Sequence, residues 1–138
     1  MKIVALDLGD SWVGVALSDS SQIIARPHTT VPFKELQSFV KTLLENDSIE
    51  TVVVGHPKTL RGTDSDQTKK IVLKKEELEK LFSSVEWVLW DERLSSKQAQ
   101  SVGKKGDKLH IHAKAAAVIL DSYLNHLRFK RSMDNENS

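Results

Sequence analysis

The chain has 138 residues, 39% apolar and 28% charged, the balance of one globular domain long enough to bury a core. Its 20 basic and 19 acidic residues leave a net charge of +1, so bulk charge alone announces no polyanionic partner. The absence of cysteine excludes disulfides, thiolate zinc sites and a thiol nucleophile.

The first elements are two short apolar runs. IVALDLG (3–9) is nearly all hydrophobic, as expected of a strand covered on both faces. SWVGVALSD (11–19) follows across a Gly-containing turn, so the pair is predicted to form an antiparallel hairpin. A third strand near SQIIARPHTT (21–30) would complete a meander. FKELQSFVKTLLEN (33–46) spaces Phe33, Leu36, Val40 and Leu43 as one face of a helix, with Pro32 suited to its first turn. IETVVVG (49–55) reads as a buried strand ending in Gly55, and HPKTLRGTDSDQT (56–68) as a loop. A helix over about 65–82 turns Ile71, Leu78 and Phe82 inward and its lysines outward, an ordinary charged face.

VEWVLWDE (85–92) is the fifth strand; its odd spacing puts Trp87 and Trp90 on opposite faces. LSSKQAQS (94–101) is predicted as a short helix capped by Ser95 or Ser96, and the last helix as residues 109–129. Residues 1–132 would form a single domain, with 133–138 a disordered tail. The order β-β-β-α-β-α-β-α-α predicts a five-stranded mixed α/β sheet, three antiparallel strands followed by β-α units, with helices on both faces. No stretch approaches the roughly 20 apolar residues of a membrane span. Asp7 interrupts the first apolar run short of a secretion signal, so a cytoplasmic setting is expected.

Asp7 is the letter out of place. A carboxylate within a buried strand is costly unless paired. One reading hydrogen-bonds it to a neighbouring turn. The other pairs it with Glu92, at the carboxyl end of the fifth strand, where ligands of such sheets gather. Two converging carboxylates would hold a hard divalent cation, Mg²⁺ or Mn²⁺, the ions suited to in-line phosphodiester displacement. Asp91, one residue earlier, must face the other way.

DLGDSWVGVALSD, VVVGHPKTLRGTDSDQT, DERLSSKQAQ and AAAVILDSYL, in this order, resemble the YqgF (RuvX) family of the ribonuclease H-like superfamily, related to the Holliday-junction resolvase RuvC. The resemblance spans roughly residues 2–127. It implies a ribonuclease H-like fold and a metal-dependent endonuclease acting on structured nucleic acid. The substrate so implied is the 5′ end of the 16S ribosomal RNA precursor, or alternatively branched DNA such as the Holliday junction. Asp7 and Glu92 then become metal ligands; Gly9 and Gly14 shape the first hairpin; Gly55, Pro57, Gly62 and Thr63 shape the loop above the site.

The family usually has an aspartate opening the last helix, and here that position is His112. On a helix His112 shares a face with Ala116, Ile119 and Tyr123, so it points toward the sheet as an unusual third ligand. Asp121 falls on the opposite face and cannot substitute, while Asp107 lies in a Gly-flanked stretch that fixes nothing. Histidine is a poorer Mg²⁺ ligand than carboxylate, which favours Mn²⁺ or a weakened site. A chain that binds nucleic acid during ribosome assembly without cutting it is therefore the second reading. A third, a phosphotransferase of the actin-like type, is opposed by length, since that mechanism closes two such domains around a nucleotide.

Lys58, Arg61, Arg93, Lys104, Lys105, Lys108 and Lys114 are the candidate phosphate contacts. His110 and His112 could share a zinc ion only if the backbone there were extended, because on a helix they diverge by roughly 200°. Trp12 stands beside the first turn, where turn packing is the simpler expectation and base stacking the other. Nothing in the pattern fixes an oligomeric state; a monomer or a weak dimer is compatible with it.

Overall fold

The computed structural model describes residues 1–56, 66–91 and 108–136. Five strands, β1 (Lys2–Leu8), β2 (Trp12–Ser18), β3 (Ala25–Pro32), β4 (Ile49–His56) and β5 (Glu86–Asp91), form one sheet in the order β3-β2-β1-β4-β5. The β1–β2 and β2–β3 pairs are antiparallel, and β1–β4 and β4–β5 are parallel. This is the mixed α/β sheet that the element order predicts.

Strand alternation divides the core in two. Val4, Leu6, Leu8, Val13, Val15, Val52 and Val54 face α1 (Leu36–Asn46) and α2 (Asp66–Leu81), where Leu36, Val40, Leu43, Ile71 and Leu78 meet them. Ile3, Ala5, Ala16 and Val53 face the other way, onto Ala116, Ile119, Leu120, Tyr123 and Leu124 of α3 (Lys108–Glu136). Each fully buried aliphatic side chain contributes roughly 1.5–3 kcal/mol. Trp87 joins the first layer and Trp90 the second, as their odd spacing requires. The Trp87 indole donates to the Phe82 carbonyl at 2.9 Å and the Trp90 indole to Ser122 Oγ at 3.1 Å.

Several boundaries differ from the sequence expectation. β3 begins at Ala25, because residues 20–24 are spent on a turn tied by Asp19, whose Oδ1 accepts from the Ile23 and Ile24 amides at 2.8 and 2.9 Å. Those amides hold the Asp19 carboxyl below its usual range, Ile24 contributing most. Pro32 ends β3 instead of opening a helix, and Phe33–Glu35 form a 3₁₀ turn before α1. β4 continues through His56, which is buried beside its register partner Asp91. α3 runs on to Glu136, so residues 133–136 of the expected disordered tail are helical. The expected helix over 94–101 lies outside the described residues.

Candidate nucleic-acid and metal site

The carboxyl ends of β1, β3, β4 and β5 and the start of β2 share one rim of the sheet. Asp7 sits one residue before the end of β1, half-buried. The alternation that sends Leu6 and Leu8 toward α1 and α2 sends Asp7 toward α3. Its cross-strand partner is Gly14.

Gly14 decides what lies above Asp7. A Cβ there would run into the backbone carbonyl of His112, so only glycine lets the first turns of α3 settle on the sheet at this point. Ala113 and Ala116 on the helix and Ala5 and Ala16 on the strands are likewise buried and small. This seam brings helix and sheet close together and carries His112, itself half-buried, to the strand position next to Asp7. Gly14 was expected to shape the hairpin; its place in the structure is this helix contact. Gly9 does serve the turn: its amide donates to the Trp12 carbonyl at 2.9 Å. Gly55 lies inside β4, paired with Trp90.

Asp121 is exposed on the outer face of α3, as its spacing requires. Because α3 already covers residues 110 and 112, the extended backbone needed for a shared zinc ion is not present. Lys114 is described and half-buried on the same helix, and Lys108 opens it. Glu92, Lys58, Arg61, Arg93, Lys104, Lys105, Asp107, Pro57, Gly62 and Thr63 lie outside the described residues. Asp91, the residue before Glu92, ends β5 on the Trp87 side of the sheet.

Among the described residues no group of three or more His, Asp or Glu side chains is placed to hold a metal ion. The described donors are Asp7, a hard oxygen ligand that fits Mg²⁺ or Mn²⁺, and His112, a borderline one that fits Mn²⁺ better. Among the described helices none is long and apolar enough to cross a membrane.

One group on the rim escaped the sequence reading. The Lys70 and Lys74 ammonium groups lie 4.6 and 5.7 Å from the Phe33 ring centroid. The lysines of α2 read as a plain solvated face, since nothing in the sequence links them to an aromatic ring more than thirty residues earlier.

The family model RuvX, described as a Holliday junction resolvase, matches residues 1–126. A protein of Rubrobacter xylanophilus named "Putative pre-16S rRNA nuclease" is 35% identical over 127 residues, covering 89% of this chain and 91% of its own. One of the same name from Caldanaerobacter subterraneus subsp. tengcongensis is 38% identical over 137 residues, covering 91% and 96%. Among solved structures, Thermus thermophilus RuvC in complex with a Holliday junction substrate superposes with a TM-score of 0.63 at 14% identity, covering 94% of this chain and 96% of that one. At that identity the likeness shows the fold, which is ribonuclease H-like as the sequence resemblance implied.

Proposed function

Because the chain belongs to the RuvX family, we propose that it is a divalent-metal-dependent endonuclease that cuts structured RNA at the 5′ end of the 16S ribosomal RNA precursor. The observation that carries this reading is the position of Asp7. It is a half-buried carboxylate at the ligand-gathering end of the central strand, with α3 seated beside it through Gly14.

Asp7 and Glu92 would hold the cation, with His112 as the third donor. When bound, the ion supplies charge neutralisation at the scissile phosphate. The chain's own groups do the rest. The backbone of Asp7 is held by its pairing with Gly14 on β2, one residue after Leu6 pairs with Val54 on β4, so the carboxylate's attachment point is fixed before substrate arrives. Lys114, on the first turns of α3, suits a phosphate flanking the cut. In the reaction, the water oxygen forms a bond to phosphorus and gives up a proton, the bond to the leaving oxygen breaks, and that oxygen takes up a proton.

A second reading, cleavage of branched DNA, is favoured by the description of the family model as a resolvase. One experiment separates the two and tests both. The purified protein is incubated with precursor ribosomal RNA and with a synthetic four-way DNA junction, in Mg²⁺ and then in Mn²⁺, alongside Asp7→Asn and Glu92→Gln. Cleavage of the RNA, lost in both variants, is expected. Undiminished cleavage in both variants ends the metal-nuclease reading, and cutting of the junction alone transfers it to DNA.

A further inference from the structure

We propose that Trp12 is a stacking platform for an unpaired nucleobase of the substrate strand, in a rim cleft that continues onto the lysines of α2. The proposal deepens the nuclease reading and rests on it for the identity of the strand. Four observations carry it.

Trp12 is 40% exposed, although it opens a strand whose next four residues are all buried. Alternation along β2 places it on the face of Gly14 and Ala16, the face that carries Asp7. Asp7 pairs with Gly14, two positions away, so Trp12 is its diagonal cross-strand neighbour, about 7–8 Å off and within reach of a large aromatic ring. A base adjacent to a phosphate at Asp7 thus meets an indole face.

The indole borders a cleft of about 490 Å³ whose other walls are Asp10, Ser11, Pro32, Phe33 and Lys34. The Phe33 amide donates to the Ser11 carbonyl at 2.9 Å, which ties the end of β3 to the β1–β2 turn and sets both walls. Phe33 also borders a second cleft, of about 440 Å³, with Lys69, Lys70 and Lys74. Two aromatic side chains and four lysines therefore follow one another over the rim, from Trp12 on the Asp7 face of the sheet to Phe33 and the lysines of α2 on the other.

The charge suits a polyanion. Asp66 and Glu77 also border the second cleft, and Glu77 pairs with Lys74 at 3.4 Å. Lys34, Lys69 and Lys70 are exposed and form no ion pair among the described residues. Aromatic faces interleaved with cations are the composition that binds single strands with little sequence preference, the rings taking bases and the cations taking backbone.

The test is binding of a short single-stranded oligoadenylate to the full chain in EDTA, followed by tryptophan fluorescence. Wild type should bind with quenching. Trp12→Ala should lose most of the quenching and about tenfold in affinity, while Trp12→Phe, which keeps a ring face, should retain most of the affinity. Equal affinity in wild type and Trp12→Ala, or quenching that persists in Trp12→Ala, overturns the proposal. Should Trp12→Ala melt at a lower temperature than wild type, the wild-type quenching and the Trp12→Phe affinity decide. The two readings fail separately: cleavage surviving in Asp7→Asn removes the nuclease chemistry and leaves the stacking result standing. Normal oligomer binding by Trp12→Ala removes the platform and leaves the chemistry.

Discussion

The backbone carbonyl of His112 rests against the α-carbon of Gly14, the cross-strand partner of Asp7. One glycine therefore sets the height of α3 above the strand that bears the candidate ligand. Replacing Gly14 with Ala forces the helix and sheet apart at the rim. The expected cost is about 1–3 kcal/mol, the usual range for overpacking, read as a lower urea midpoint at unchanged slope. Cleavage should fall further than stability does, because His112 is displaced from Asp7.

His112→Asp restores a hard oxygen donor at the start of α3. If the nuclease reading holds, Mg²⁺-supported cleavage should rise relative to Mn²⁺ on the order of tenfold, equivalent to about 1.4 kcal/mol at the barrier. Rates measured in each ion check this. An unchanged ratio places His112 outside the ligand set.

Leu120 is fully buried in the layer beneath α3, away from the rim. Leu120→Ala should cost about 2–5 kcal/mol through lost burial and the cavity left behind. Thermal or urea unfolding measures it. Under conditions where the variant is folded, oligomer binding at the rim should match wild type.

Tyr123 gives a pH signature. Burial, and then the charges of Glu86 and Glu50, raise its hydroxyl above the ordinary 10.0, with Arg131 opposing. Above pH 10.0 the unfolded chain releases this proton before the folded one does. The tyrosine's contribution to stability is therefore whole below that pH and shrinks as pH climbs toward the raised value. Tyr123→Phe, which has no proton to lose, should decline less steeply in that window when unfolding is followed against pH.

Much of the fold was legible because the signals were local. Short, nearly all-apolar runs gave the strands, helical spacing gave the buried faces of α1 and α2, and the odd interval between Trp87 and Trp90 gave their separation into two layers. The turn at residues 20–24 was misread as strand because Ile23 and Ile24 are β-branched. Their amides answer to Asp19 instead, and Gln22 adopts φ 60. Of the candidate site, Asp7 stood out through the cost of a charge in an apolar strand, and His112 through the family resemblance, with helical phase turning it toward the sheet. The duty of Gly14 and the company of Phe33 were hidden, since each depends on a partner distant in sequence.

β1 is flanked by β2 on one side and β4 on the other, with a helical layer over each face. A strand so enclosed opens to solvent deuterium only in the largest unfolding events, whereas β3 and β5 at the margins exchange sooner. Asp7 thus belongs to the part of the molecule that loosens last. The borders of the sheet can breathe around a substrate while the carboxylate holds its bearing.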